Sequence, residues 1–182
     1  MKNSGDRSSH NSPSGAGGKT LLLIRHAKSD WSSNASSDFD RPLNDRGKRD
    51  APTMAHRLLD KKIKIDAFIA SPAKRARRTA SIFAKEYNQD KDKIIFIEEL
   101  YAAPEEIFYE VIKKTDDKFD SIAVFSHNPG ITDFANSLTD VRIDNIPTCG
   151  IFALKISAKR WADFKDAEKE FWFADYPKAE QV

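Results

Sequence analysis

Short apolar runs alternate with longer segments of helical periodicity, and this alternation does most to limit what the chain can fold into. Residues 20–25 form an apolar run that ends in a charged residue, as is typical of a strand buried on both faces. Comparable runs lie at 65–70, 94–97, 121–125, 151–156 and 171–173. Strands that alternate with helices predict an α/β fold, so we expect a three-layer α/β/α sandwich with a mostly parallel central sheet.

Four helices are predicted between these strands, at residues 44–60, 71–87, 104–114 and 128–138. Asn44 is a suitable capping residue for the first of them. The pairs Ser71-Pro72 and Asn128-Pro129 each combine a capping side chain with a proline suited to the first helical turn. We therefore expect helices to start directly after two of the strands.

The chain length of 182 residues fits one domain, which we place at residues 20–182. Residues 1–19 carry Ser, Gly, Asn and charge but no apolar run, so we expect a disordered N-terminal tail and not a secretory signal. No stretch approaches 18 consecutive apolar residues, which argues against a membrane span. With one cysteine and no export signal, the expected location is cytoplasmic.

The charged residues are nearly balanced, with 30 Lys and Arg against 28 Asp and Glu and a net charge of +2. A general nucleic-acid binder would show a large basic excess, so we expect no nucleic-acid partner. The single cysteine, Cys149, excludes an intramolecular disulfide and a zinc site built on several thiolates. We interpret Cys149 as a small buried residue.

Three strand ends carry the residues that suggest chemistry: Arg25-His26, Ser71 to Arg78, and Ser126-His127. Ligands of open α/β sheets bind at the carboxyl ends of the strands, so these groups should converge on one rim. Arginine forks match phosphate oxygens, and a neutral histidine can attack phosphorus. The combination predicts an anion pocket that contains a nucleophile, which suits phosphoryl transfer.

Each of these features also has an ordinary structural explanation. A lone histidine is more often structural than catalytic, and the run Lys74 to Arg78 would usually form a solvated helix face. His10 and His56 have no expected role, because one lies in the tail and the other within a helix. His26 and His127 differ from them because each directly follows an apolar strand.

The motifs that hold these residues resemble those of the histidine phosphatase superfamily, also called the phosphoglycerate-mutase-like family. LIRHAKS at 23–29 resembles its Arg-His signature, SPAKRARRTA at 71–80 its second motif and SHNPG at 126–130 its third. DFDRPLNDRG at 38–47 resembles the short SixA-like branch of phosphohistidine phosphatases. The order and spacing agree over residues 20 to about 155, and the resemblance implies a phosphoglycerate-mutase-like fold.

The resemblance also implies roles for individual residues. His26 would be the nucleophile that becomes phosphorylated, and Arg25 and Arg75 would bind the phosphoryl oxygens. His127 would hydrogen-bond the phosphoryl group and stabilise charge in the transition state. Arg41 would be a further phosphate or substrate contact, and Asn128 is assigned to substrate binding as well.

The general acid is less well defined by the resemblance. Many members of the superfamily carry a carboxylic acid after the third strand, where this chain has Glu98, Glu99 and Glu105. Glu99 is the first candidate among them. SixA-like members lack a clear acid at this place, and a phosphohistidine ring that is already protonated needs less help in leaving than an alkoxide does.

We therefore expect a phosphatase that removes a phosphoryl group from phosphohistidine on a protein through a covalent intermediate on His26. The alternatives are a small-molecule phosphomonoesterase on the same scaffold, a mutase, or a binding module that recognises phosphorylated ligands without turnover. The expected partner is a phosphorylated protein or a small phosphorylated molecule, with no nucleic acid and no membrane. We expect a monomer that needs no cofactor and no metal, because arginines would supply the positive charge.

Overall fold

The computed structural model describes residues 17–179, so most of the predicted N-terminal tail lies outside the described residues. The strands are β1 Lys19–Arg25, β2 Ala67–Ala70, β3 Ile95–Phe96, β4 Ser121–Ser126, β5 Ile151–Ile156 and β6 Lys169–Asp175. The helices are α1 Asp45–Asp60, α2 Lys74–Glu86, α3 Glu105–Lys113 and α4 Gly130–Leu138. No helix within residues 17–179 is long and apolar enough to cross a bilayer.

The six strands form one sheet in the order β3-β2-β4-β1-β5-β6. The first four strands of this order are parallel, and β5 and β6 add to the β1 edge in antiparallel pairs. This arrangement confirms the predicted α/β fold with a mostly parallel central sheet. The parallel order places the carboxyl ends of β2, β4 and β1 side by side at one edge of the sheet.

Helices cover both faces of the sheet because successive side chains of a strand point to opposite sides. Leu21 and Leu23 of β1 belong to the hydrophobic cluster that contains Phe108 of α3 and Phe134 of α4. Their neighbours in the strand join a second cluster with Met54 of α1 and residues of α2. These two clusters give the three layers predicted from the sequence.

Two helices begin later than predicted, and both differences concern the edge where the site lies. α2 begins at Lys74 with Ala73 in the cap position, whereas Ser71 places its hydroxyl 2.7 Å from Nε2 of His127. α4 begins at Gly130, and the side chain of Asn128 bonds to the carbonyl of Ile146 in the loop before β5 and to the hydroxyl of Thr132 instead of capping the helix. In both cases the side chain that the local sequence predicts as a helix cap forms a tertiary hydrogen bond instead.

The predicted cap of α1 is present, and it closes the loop that follows β1. The side-chain oxygen of Asn44 accepts a hydrogen bond from the backbone N–H of Gly47 at 2.9 Å. The backbone N–H of Asn44 donates to the carbonyl of Lys28, and Ser29 pairs with Leu43 in an antiparallel bridge. Residues 30–42 therefore form a loop whose two ends are fixed beside the carboxyl end of β1.

Candidate active site

The two predicted histidines lie next to each other because β1 and β4 are adjacent and parallel. Arg25 is aligned with Ser126 in the sheet. His26 follows Arg25 and His127 follows Ser126, so the two histidines occupy equivalent positions at the ends of their strands. The backbone N–H of His26 donates to the carbonyl of Ser126 at 3.1 Å. The imidazole ring centroids of His26 and His127 are 5.1 Å apart. The sheet register thus confirms that these side chains share one rim.

A backbone contact determines which nitrogen of His26 can react. Nδ1 of His26 lies 2.8 Å from the carbonyl oxygen of Ala27. A carbonyl can only accept, so Nδ1 donates, and the neutral ring keeps its lone pair on Nε2. That lone pair faces the guanidinium of Arg75, whose Nε lies 3.4 Å from Nε2. His26 therefore presents a nucleophilic nitrogen to the most cationic part of the site.

Both histidines are held in the neutral form. Burial lowers the pKa of His26 to about 3; the hydrogen bond to the Ala27 carbonyl opposes this, and repulsion from His127, Arg75 and Arg25 adds to the lowering. Burial also lowers the pKa of His127 to about 3, with Arg75 contributing in the same direction. Protonated histidine has no lone pair, so these shifts keep His26 competent as a nucleophile throughout the physiological pH range.

The position of Arg75 is fixed by the first turns of α2. Thr79, one turn later, accepts a hydrogen bond from the backbone N–H of Ala27 at 3.0 Å. The same hydroxyl donates to the carbonyl of Arg75 at 2.7 Å. One threonine thus joins the segment after His26 to the helix that carries Arg75.

Asp38 in the loop of residues 30–42 is the carboxylate that contacts the site. Its Oδ2 accepts from Nη2 of Arg75 at 3.0 Å and from the hydroxyl of Tyr101 at 2.8 Å. Its Oδ1 accepts from Nη2 of Arg41 at 2.9 Å. Burial raises the pKa of Asp38, but the hydrogen bonds from Tyr101, Arg41 and Arg75 outweigh it and lower the pKa to about 2. Asp38 is therefore ionised at neutral pH and orients the two arginines.

Arg41, the predicted substrate contact, lies beside the site in a mostly buried position. It donates to the hydroxyl of Ser29 and to Asp38, and its guanidinium carbon lies 3.7 Å from the ring centroid of Trp31. Trp31 is 77% exposed, so it covers the guanidinium from the solvent side. The Nε of Arg41 is buried and has no hydrogen-bond partner within residues 17–179.

Arg25 approaches the site from the opposite side and is oriented by the loop before β5. Its Nη1 donates to the carbonyl of Ile146 at 3.0 Å, while its buried Nε has no partner. Burial lowers the pKa of Arg25, and the positive charge of Arg75 adds to this. The backbone N–H of Cys149 donates to the carbonyls of Arg25 and His26 at 3.1 Å each. Cys149 is fully buried, which confirms the sequence interpretation of this residue.

The side chain of Asn128 contacts the same loop and forms no hydrogen bond to either histidine ring within residues 17–179. Its NH₂ donates to the carbonyl of Ile146 at 3.1 Å, and its oxygen accepts from the hydroxyl of Thr132 at 2.6 Å. These bonds use the side chain to position the backbone that supports Arg25. The substrate-binding role of Asn128 stays a prediction.

Glu99, the predicted general acid, is exposed and lines a separate groove with Ile95, Ile107 and Lys114. A general acid has to come within hydrogen-bond reach of the leaving group, directly or through one water. The residue of this segment that reaches the site is Tyr101, which donates to Asp38 and packs its ring against His127 at 5.6 Å. Glu99 thus lies outside the group of side chains that contact one another at the histidines, and its acid role stays a prediction.

Two contributors to the site were not identified from the sequence. Asp38 stands in the segment that carried the resemblance, but no local pattern shows that its loop lies over Arg75. Tyr101 follows the short 3₁₀ helix Glu98–Leu100 and reaches Asp38 across a sequence separation of 63 residues. Only the spacing of Asp38 to Arg41, three residues on, could have suggested the ion pair that joins them.

The assembled groups surround the neutral His26 with positive charge. Arg25, Arg41 and Arg75 bring three positive charges, and Asp38 pairs with Arg41 and Arg75. The buried Nδ1 of His127 also lacks a partner, while its Nε2 contacts the hydroxyl of Ser71. Donors that are already oriented toward a developing negative charge are the usual means of stabilising a phosphoryl transition state. Within residues 17–179, no group of three or more His, Cys, Asp or Glu side chains could hold a metal ion.

The family model of the histidine phosphatase superfamily (branch 1) matches residues 21–142. The chain belongs to this superfamily. Membership confirms the predicted enzyme class, a phosphatase that acts on phosphate esters. The matched span contains both site histidines and the arginines Arg25, Arg41 and Arg75.

The relatives include an uncharacterised protein of Mycobacterium tuberculosis, 31% identical over 150 residues that cover 77% of this chain and 90% of the relative. An uncharacterised chloroplastic protein of Arabidopsis thaliana is 27% identical and covers 84% of this chain and 73% of its own length. A SixA protein of Agrobacterium tumefaciens, described as a phosphohistidine phosphatase, has a TM-score of 0.73 at 23% identity over 87% of this chain and 98% of that one. A tungstate complex of the protein histidine phosphatase SixA gives the same TM-score at 20% identity, over 87% and 97%. These structures confirm the SixA-like fold of this histidine phosphatase.

Proposed function

We propose that this histidine phosphatase removes the phosphoryl group from phosphohistidine on a protein, through a covalent phosphohistidine at His26. The observation that carries the proposal is the pairing of a neutral, inward-facing Nε2 on His26 with a site whose contacting carboxylate, Asp38, is ionised. Within residues 17–179, such a site offers a nucleophile and charge stabilisation, and the carboxylate in contact with it is ionised and cannot protonate a leaving group. It suits substrates whose leaving group departs without that help.

The first chemical step transfers the phosphoryl group to His26. The lone pair of Nε2 attacks phosphorus, the bond from Nε2 to phosphorus forms, and the bond from phosphorus to the substrate imidazole breaks. If the substrate ring carries a proton on its other nitrogen, it leaves as neutral imidazole. In this scheme Arg25, Arg41, Arg75 and Nδ1 of His127 bind the equatorial oxygens, supported by the lack of another partner for Nε of Arg25, Nε of Arg41 and Nδ1 of His127 within residues 17–179.

The second step is hydrolysis of the intermediate. Phosphorylated His26 keeps its proton on Nδ1, and this N–H donates a hydrogen bond to the Ala27 carbonyl. The ring is therefore cationic and is itself a good leaving group. The surroundings that lower the pKa of His26 to about 3 also disfavour this cation. Water attacks phosphorus, the bond to Nε2 breaks, the proton of the water passes to solvent, and neutral His26 is restored.

A turnover experiment with three histidine variants tests this proposal. Wild type should release phosphate from a phosphohistidine-containing protein, and His26→Ala should lose activity entirely. His127→Ala should retain a residual rate lower by about 10²–10³-fold, the usual effect of removing one transition-state donor. His56→Ala is the matched control, because His56 lies on the surface of α1 paired with Glu86 and should leave the rate unchanged.

The intermediate is checked separately with a substrate whose phosphoryl group is labelled. The wild-type reaction is quenched in alkali, which preserves phosphohistidine, and the label should be found on His26. Phosphate release by His26→Ala, or a label on any other residue, would contradict the mechanism. Binding of the phosphoprotein without turnover by wild type would instead indicate a binding module. We place this activity in the cytoplasm, consistent with the single buried thiol.

A further inference from the structure

A groove next to the active site is lined by five cationic side chains although the whole chain carries a net charge of only +2. Its volume is about 560 Å³, close to the 530 Å³ of the apolar groove beside Glu99. The cations are Lys48 of α1, Lys74, Arg77 and Arg78 of α2, and Lys91 of the 3₁₀ helix Lys91–Lys93. We call this surface the cationic groove.

The cationic groove lies beside the catalytic arginines. Lys74 directly precedes Arg75, and its backbone N–H donates to the carbonyl of Phe39 in the loop that carries Asp38. Pro42, which lines the groove, directly follows Arg41. In α2, Arg75 faces the phosphoryl site and its neighbour Lys74 faces the groove. In the loop, Arg41 and its neighbour Pro42 are divided in the same way.

The lining has the mixed character of a protein-binding surface. Leu43, Pro42 and Phe96 supply apolar contacts, and the guanidinium of Arg77 stacks on the Phe96 ring at 4.5 Å. Phe96 belongs to the edge strand β3 and is 37% exposed. Arginine stacked on an aromatic ring keeps most of its donors free for carboxylates. The surface therefore offers side-chain donors together with apolar area.

The positive charge of the groove is largely uncompensated within the described residues. Asp92 is the carboxylate in the lining, and Asp45 lies 4.0 Å from Lys48 at 92% side-chain exposure. Lys74, Arg77, Arg78 and Lys91 form no ion pair within 4.0 Å in the part of the chain that the structure describes. From Lys74 to Ser81 the helix rises by about 10 Å, enough to face roughly three residues of an extended peptide.

We propose that the cationic groove docks an acidic segment of the phosphorylated protein, placing the phosphoryl group of that protein at His26. The proposal rests on the proposed function and extends it from the chemistry of the phosphoryl group to the choice of protein. Charge complementarity favours an acidic occupant, and the adjoining catalytic arginines require that the same partner carry the phosphoryl group. Attraction between opposite charges raises the association rate and loses strength with salt.

The test uses two synthetic peptides with one phosphohistidine each, one flanked by Glu residues and one by Gln residues. The groove variant is Arg78→Glu with Lys91→Glu. The matched control is Lys85→Glu with Lys93→Glu, which makes the same charge change on the same two helices outside the groove. Phosphate release gives kcat/KM for each peptide at low salt and at 0.15 M salt. At 0.15 M the Debye length is about 8 Å, so attraction between exposed charges is screened beyond that distance.

We expect wild type and the control variant to prefer the Glu peptide by about tenfold at low salt, with a smaller preference at high salt. The groove variant should lose this preference while its kcat/KM for the Gln peptide stays at the wild-type value. Equal turnover of both peptides by wild type would overturn the docking proposal and leave the proposed function intact. Equal loss of preference in both variants would also overturn it, because net charge alone would then explain the effect.

A binding measurement keeps the two proposals separable. Fluorescence anisotropy of the unphosphorylated Glu peptide with His26→Ala reports docking without turnover, and the groove variant in that background should weaken binding about tenfold. If wild type hydrolysed neither peptide, the proposed function would fail while this binding result still decided the docking. Tighter, groove-dependent binding of a single-stranded oligonucleotide than of the Glu peptide would assign the groove to nucleic acid and overturn the proposal.

Discussion

At the scale of single residues, Asp38 connects the arginines that we propose bind the phosphoryl group with the loop of residues 30–42. It accepts hydrogen bonds from Arg75, Arg41 and Tyr101. The arginine donors that it occupies are also donors that a phosphoryl oxygen would use, so an incoming phosphate competes with the carboxylate. Because the hydrogen bonds hold its pKa at about 2, Asp38 competes as an anion at every physiological pH.

Asp38→Asn should therefore bind inorganic phosphate more tightly than wild type. Its side chain is half exposed, so we expect about a fivefold lower inhibition constant, equivalent to the ~1 kcal/mol upper value for exposed ion pairs. The measurement is phosphate inhibition of turnover at pH 7. Asp40→Asn, in the same loop but bonded to Ser36 and Ser37, is the control. Weaker phosphate binding by Asp38→Asn would show that orienting the arginines matters more than the competing charge.

The two buried histidines predict how stability depends on pH. The pKa of each falls from an ordinary value of 6.5 to about 3 in the folded chain, so between these values the unfolded chain binds more protons. The free energy of unfolding should therefore fall as the pH is lowered from about 6.5, by up to ~1.4 kcal/mol per pH unit for each histidine. Urea unfolding at pH 7, 6 and 5 measures this slope. His26→Asn with His127→Asn should flatten it, and an unchanged slope in that variant would refute the assignment.

At the scale of secondary-structure elements, the start of α4 depends on the absence of a side chain at Gly130. A methyl group there would overlap the carbonyl oxygen of Ala103 and approach the ring of Phe108. The helix thus packs directly against the turn that leads into α3, and this close contact helps place His127 immediately before it.

Gly130→Ala should destabilise the fold by about 1–3 kcal/mol, the usual cost of overpacking a tight contact. The resulting shift of the His127 backbone should also lower kcat. Gly17→Ala is the control, since a methyl group at Gly17 meets nothing within 4 Å. Thermal unfolding and steady-state turnover of both variants provide the readout, and wild-type stability in Gly130→Ala would contradict the packing argument.

The elements near the site also show which local signals were sufficient. The Asn44 cap formed as predicted because its partner, Gly47, lies within the same turn. The caps predicted at Ser71 and Asn128 did not form, since each side chain found a partner far along the chain. Capping patterns describe local competition for hydrogen bonds, and a long-range partner with better geometry decides the outcome.

At the scale of the whole molecule, β1 links the two hydrophobic clusters because its side chains alternate between them. Both clusters contain residues of β4 and β5 as well. Neither layer of helices can be lost without exposing one face of the same central strands. Folding of the described part of the chain is therefore expected to be cooperative, and the single domain at residues 20–182 stays a prediction.

Urea unfolding should show one transition with the same midpoint by different probes. Near-ultraviolet circular dichroism reports on fully buried Trp161, packed in the cluster that contains α3 and α4. Far-ultraviolet circular dichroism reports on all helices, including α1 and α2 on the other face. Separate midpoints would indicate that the two layers unfold independently and that the single-domain prediction is wrong.

The sequence by itself determined the order of strands and helices and the α/β class. It also identified the candidate site residues at the strand ends, Arg25-His26 and Ser126-His127. These features depend on local periodicity and on residue type, which the sequence states directly. It also allowed His26, His127, Arg25 and Arg75 to be placed on one rim, because parallel strands share their carboxyl edge.

The tertiary structure alone decided how the loops and the segment after β3 meet that rim. Tyr101 and not Glu99 reaches the site, and Asp38 spans two arginines from a loop with no regular structure. These contacts join residues as much as 63 positions apart and depend on where a loop closes over the sheet. No local pattern encodes that closure, since it follows from packing and charge pairing that exist only once the strands have assembled.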